Sequence, residues 1–151
     1  MTTKDGRTPA PTGDSAALLD ALVQCSFLTI AALSRIGAEY DLSLTQLRVL
    51  GILRDRRLKM SQLAAYLGLD RSTLSGLVER AEKRELLQRS PNPDDGRAID
   101  VTLTAAGLRF AEQVHQRAEQ ALGPLTAKLS GAEQARLTTL LQQLMAGTDP
   151  G

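Results

Sequence analysis

The 151-residue chain has few aromatic side chains: two Tyr, two Phe and no Trp. Its core must therefore come from Leu, Ala, Val and Ile, and Ala and Leu are strong helix formers. A single cysteine, Cys25, excludes an internal disulfide and a cysteine-based zinc site. The single histidine, His115, has no second His or Cys near it, so no metal site is expected. No proline stands between Pro11 and Pro91, which leaves room for long helices. No apolar run comes near the roughly 18 residues of a membrane span, and residues 1–13 lack the apolar stretch of a signal peptide. They are expected to form a disordered tail, with the remainder working in the cytoplasm. None of the phosphate-loop, nucleophile-elbow, zinc-helix or dinucleotide signatures is present, so neither enzymatic activity nor a cofactor is expected.

What is present is unevenly spread. Residues 48–97 hold 11 Lys/Arg against 7 Asp/Glu, and the rest of the chain holds 7 against 10. A basic middle between acidic flanks suits a segment that meets a polyanion. From Asp14 or Ser15 to about Tyr40, apolar residues fall on most of one helix's circumference, among them Leu18, Leu22, Val23, Phe27 and Ile30. A helix that is apolar nearly all round must be covered nearly all round, and a second subunit would do it. Thr45 is expected to cap a second helix and Ser61 a short third one. Gly68 is expected to end the third helix in a left-handed conformation. Asp70 would then cap a fourth, from Arg71 to about Glu85. "LLQRS" and the alternating Ile99, Val101 and Leu103 read as two strands around the turn "PNPDDGR", hence an antiparallel hairpin. Thr104 should cap a fifth helix, which Pro124 breaks or kinks. Ser130 and Glu133 form a capping box opening a sixth, with Leu137, Leu140, Leu141 and Leu144 on one face.

The third and fourth helices make a helix-turn-helix candidate. On the fourth, Leu74, Leu77, Val78 and Ala81 share one face, at i, i+3, i+4 and i+7. Ser72, Ser75 and Gly76 lie opposite, with Thr73 and Arg80 on one shoulder. Small hydroxylated residues let a helix enter a major groove about 12 Å wide. The helix N-terminus, Arg71 and Arg80 supply positive charge for phosphate. A hairpin directly after such a pair makes a winged helix. A winged helix that binds only proteins would show an apolar face here; Ser72, Thr73, Ser75 and Arg80 oppose that alternative.

"DDGRAIDVTLTAAG" resembles the wing signature of the MarR family of bacterial transcriptional regulators, through Asp95, Arg97, Val101, Leu103, Thr104 and Gly107. "LTQLRVLGIL" and "MSQLAAYLGLDRSTLSGLVERAEKRELLQR" resemble the family's second helix and its reading head. The resemblance spans roughly residues 15–146. It implies a mainly α fold with a small β-hairpin wing, organised as one domain over 14–151. Within it, a winged helix-turn-helix lobe (43–104) is flanked by dimerisation helices (14–42 and 105–147). It further implies a homodimer, held through residues such as Leu18, Leu22, Leu137, Leu140, Leu141 and Leu144, on a pseudo-palindromic duplex operator. Such a protein would be a ligand-responsive regulator, a repressor type, taking a small phenolic or other aromatic effector. Ser61, Arg71, Ser72, Thr73, Ser75, Gly76, Arg80 and Arg97 are the candidate DNA contacts. Arg97 would enter the minor groove, where narrow A·T tracts concentrate negative potential, and Asp95 would brace its guanidinium.

Two positions depart from the family pattern. Gly76 stands where Arg or Lys is frequent, so a contact is absent or carried by Arg71 and Arg80. Glu85 stands where the family commonly ends the helix with Gly. Some members sense peroxides through a cysteine in the first helix, which raises Cys25 as a redox candidate. With no basic neighbour, and Tyr40 and Tyr66 as the only tyrosines, a packed, inert thiol is expected instead.

Overall fold

The computed structural model describes residues 13–148. The element order is α1 (Gly13–Glu39), α2 (Leu44–Leu53), β1 (Leu58–Lys59), α3 (Met60–Leu67), α4 (Arg71–Lys83), β2 (Leu87–Pro91), β3 (Ile99–Leu103), α5 (Ala105–Thr126) and α6 (Gly131–Met145). The expected tail lies outside the described residues, except for Gly13, which opens α1.

The chain divides into two units at Ala31/Ala32. The described part of the first is the helical stretch 13–31. It exposes Leu18, Leu22, Val23, Phe27, Leu28 and Ile30. Cys25 is exposed as well, so the expectation of a packed thiol does not hold within one chain. α1 is also long and apolar enough to cross a membrane by length and composition, contrary to the sequence expectation. The reason is that Ser, Thr and Gln only dilute the hydropathy of the uncharged run 21–34 without interrupting it.

The second unit holds the core. Ile36, Val49, Leu63, Leu74, Val78 and Val101 are almost completely buried, each worth about 1.5–3 kcal/mol relative to exposure. They come from α1, α2, α3, α4 and β3, so the third and fourth helices are packed in the lobe through the expected apolar face. Three antiparallel strands run in the order β1-β3-β2. The hairpin pairs Leu87 with Leu103 and Arg89 with Val101. β1, which is too short to show a period, pairs Leu58 with Val101 on the other edge. α6 buries none of its residues and exposes Leu137, Leu140, Leu141 and Leu144.

Several helix ends differ from the sequence expectation. Ser43, not Thr45, caps α2, accepting the Gln46 N–H while Gln46 Oε1 accepts that of Ser43. Lys59, not Ser61, stands at the start of α3, its N–H held by Gln62 Oε1 at 2.9 Å. In each case a glutamine reaches back to the N–H of the residue before the helix, which moves the start upstream; only at α2 does the cap side chain, Ser43, complete a capping box. α4 ends at Lys83, and Pro124 sits inside the last turn of α5 without breaking it. The wing exit is closely packed. Thr104 Oγ1 donates to the Glu85 carbonyl at 2.6 Å and accepts the Gly107 N–H at 2.9 Å. A Cβ on Gly107 would lie 2.0 Å from the Leu86 carbonyl oxygen. The T-x-x-G of the wing signature is thus a cap followed by a close approach of two backbones.

Candidate nucleic-acid interface

The start of α4 is built around Asp70. Its Oδ1 accepts the Thr73 N–H and the Ser72 hydroxyl, both at 2.8 Å, and its Oδ2 accepts the Thr73 hydroxyl at 2.9 Å. The Thr73 N–H first, then the two hydroxyls, bring this carboxyl down to about 2. An ionised carboxylate can only accept, so both hydroxyl protons point at Asp70. What Ser72 and Thr73 turn outward is oxygen lone pairs. These suit the amino groups of cytosine or adenine in a major groove better than they suit a phosphate. Gly68, at φ 63°, makes the turn that aims this helix end.

The wing supplies the second wall. Asn92 Oδ1 accepts the N–H groups of Asp94 and Asp95, each at 2.9 Å, and Ala98 N–H reaches the Asp95 carbonyl at 2.9 Å. Asp95 meets Arg97 through the backbone, accepting its N–H at 3.2 Å. Its other oxygen faces Lys59 Nζ at 3.9 Å. Among the described residues no ion pair joins Asp95 to the Arg97 guanidinium, so the expected charge-assisted brace is corrected to a backbone one. The two groups are only two residues apart on a turn, and the turn geometry takes the carboxylate first.

Strand alternation also misplaced a carboxylate. Ile99, Val101 and Leu103 alternate with Asp100, Thr102 and Thr104, and a half-buried strand of that pattern turns Asp100 to solvent and Ile99 inward; instead Asp100 is 2% exposed and Ile99 is 39% exposed. Asp100 accepts from Arg57 Nε at 2.5 Å and Asn92 Nδ2 at 2.9 Å. The Asn92 hydrogen bond and the Arg57 pair hold its carboxyl below the usual range, against the opposing effect of desolvation.

Between the two walls lies an open cleft of about 470 Å³, lined by Lys59, Met60, Ser61, Arg71, Ser72, Ser75, Arg89, Arg97, Ala98 and Ile99. Five of the residues expected to meet DNA converge there: Ser61, Arg71, Ser72, Ser75 and Arg97. Thr73, Gly76 and Arg80 stand outside the lining. A Cβ on Gly76 would touch the Arg80 guanidinium at 3.5 Å, so Arg80 lies over the position where the family pattern has a basic residue. Lys59 and Arg89 were missed from sequence. Arg89 is gripped by Glu82 through Nε at 3.1 Å and a terminal nitrogen at 2.7 Å, which raises its already high pKa. All the charged groups that line the cleft are cationic, which is what a polyanion requires.

The MarR family model matches residues 40–98, the stretch that contains both walls. The multiple antibiotic resistance protein MarR of Salmonella typhimurium is 34% identical over 107 residues, covering 70% of this chain and 74% of the relative. Apo MarR of Escherichia coli superimposes with a TM-score of 0.67 at 26% identity, covering 92% of this chain and 99% of that one. The Bordetella bronchiseptica regulator BpsR, whose DNA binding is regulated by 6-hydroxynicotinic acid, superimposes with a TM-score of 0.69 at 26% identity, covering 93% and 99%. The chain therefore belongs to the MarR family of DNA-binding winged-helix transcriptional regulators.

Proposed function

We propose that this chain is a ligand-responsive repressor that grips a pseudo-palindromic operator as a homodimer in the cytoplasm. The observation that carries the reading is the cleft in which the start of α4 and the wing cation share one cationic surface. α4 enters the major groove with Ser72, Thr73 and Ser75 at base edges. Lys59 and Arg71 meet phosphates, and Arg97 reaches the adjoining minor groove. Phosphate contacts fix register and base contacts give specificity. The exposed leucines of α1 and of α6 are covered by a second copy of the chain, since apolar stripes of that length are not left in water. Two copies related by a two-fold axis place two half-sites about one helical turn apart.

The effector in this reading is a small aromatic acid or phenol, the chemistry named for BpsR. It would favour one spacing of the two lobes over another, and so change operator affinity by its differential binding to the two states. Selecting duplexes from a random pool, then titrating salt, tests the reading. The expected result is an inverted-repeat consensus, with affinity falling steeply as salt rises. Absence of duplex binding at low salt would instead favour a protein-interaction module.

A further inference from the structure

Asp100 is the one buried charged residue among those described. A carboxylate in that position is tolerated only when its oxygens are satisfied, and both are. Arg57, from the connection after α2, donates through Nε to one oxygen. Its terminal nitrogen reaches Ser90 Oγ on β2 at 3.2 Å. Asn92 donates its amide to the other oxygen. The opposite end of the same Asn92 side chain accepts the N–H groups of Asp94 and Asp95. Asp95 in turn accepts the N–H of Arg97. Every link has a donor facing an acceptor, and turning the Asn92 amide over would set its oxygen against a carboxylate.

The need for such a chain of bonds is visible in the wing itself. Pro91, Pro93, Asp94, Asp95, Gly96 and Arg97 are all exposed, so no apolar side chain from 93–97 anchors the tip. The backbone bonds between Asn92 and Ala98 and between Ala98 and Asp95 close the loop on itself but do not tie it to the lobe. Asp100 does, because its neighbour Val101 is fully buried in the core. None of Arg57, Asn92 and Asp100 lines the cleft.

We infer that Asn92 and Asp100, steadied by Arg57, are positioning residues that fix the reach of Arg97 into the minor groove. The inference rests on the proposed role of Arg97. The test uses the full chain and a duplex selected from a random pool by the wild-type protein, with Asn92→Ala, Arg97→Ala and the double variant. Each single variant is expected to bind that duplex about tenfold or more weakly, the scale of one specific contact. The double variant should be within about twofold to threefold of Arg97→Ala, because a residue that acts only through Arg97 has nothing left to position. Asn92→Ala should melt somewhat lower than wild type, because one oxygen of the buried Asp100 loses its donor, but its affinity for an unrelated duplex should stay near wild type, which a general weakening of the lobe would not allow. Asn92→Ala with wild-type affinity, or losses that multiply in the double variant, overturns the positioning role while leaving that of Arg97 intact. Unchanged affinity in Arg97→Ala overturns both.

Discussion

The two walls of the cleft are held in opposite ways. The start of α4 is fixed by bonds spanning two or three residues, from Asp70 to Ser72 and Thr73. The wing is fixed by bonds spanning up to 43 residues, from Arg57 to Asp100, and by the backbone contact of Gly107 with Leu86. A local device survives as long as its helix does. A long-range one depends on the whole lobe being folded, and it lets the wing be set independently of the helix it stands beside. Substitutions on the wing side should therefore cost more, and do so more cooperatively, than those at the helix start.

The largest effect is expected at the wing exit. Gly107→Ala places a methyl group 2.0 Å from the Leu86 oxygen, with backbone on both sides and nothing flexible to yield. Overpacking of this kind costs typically 1–3 kcal/mol and occasionally more, so about 3 kcal/mol is expected, read as a lowered melting temperature. A wild-type melt in this variant would mean that α5 and Leu86 can separate, and that the wing is not rigidly seated. Arg97→Ala comes next: about 1–3 kcal/mol of operator affinity, with the melt unchanged, since the side chain is exposed and lines the cleft rather than the core. On the local side, Asp70→Ala should remove a helix cap at a cost of about 1 kcal/mol in stability.

The pH dependence sharpens the same contrast. The folded pKa of Asp70 lies at about 2, below its ordinary 3.8. A depressed folded value means that the cap's contribution is fully present above about pH 4 and is lost as the pH falls through 2. Asp100 is depressed too, so its share of the wing is likewise lost only in acid. Acid melts of wild type against Asp70→Ala should converge as the pH approaches 2. Curves that stay parallel down to that pH would show that the carboxylate is not the source of the cap.

This contrast also explains what could be read in the sequence. Devices within four residues were legible: the αL turn at Gly68, the Asp70 cap, the Ser130–Glu133 box and the six helices. Even where the cap was misplaced, at Thr45 and Ser61, the glutamine that decides the matter lay only a residue or two away, at Gln46 and Gln62. Non-local devices were not legible. Period-two alternation sends Asp100 outward, and only Arg57, far back in the sequence, makes its burial tolerable. β1 has two residues and exists because β3 offers an edge. Lys59 and Arg89 reach the cleft through that sheet, so no helical periodicity could mark them. Ser72 and Ser75 could be assigned from sequence to one face of α4, because a helix face is a local property, and both line the cleft.

The smallest effect separates two helix ends of the same design. α3 ends with Gly68 at φ 63°, where Leu69 N–H reaches the Ala64 carbonyl at 3.0 Å. α4 ends with Glu85 at φ 60°, where Leu86 N–H reaches the Ala81 carbonyl at 3.0 Å and Glu85 N–H reaches Glu82 at 2.8 Å. Both are Schellman-type ends, which place one residue in the left-handed region. Glycine takes that conformation freely, while a residue with a Cβ pays roughly 1–2 kcal/mol. The freedom glycine adds to the unfolded chain offsets part of the difference. Gly68→Ala should therefore lose about 1 kcal/mol, and Glu85→Gly should gain about 0.5–1 kcal/mol, both read from chemical denaturation midpoints. Glu85 uses its carbonyl, not its side chain, to hold Thr104, so the gain should come without disturbing the wing or operator affinity. A Glu85→Gly variant that is more stable but binds DNA more weakly would show that strain at this helix end sets the angle of the wing.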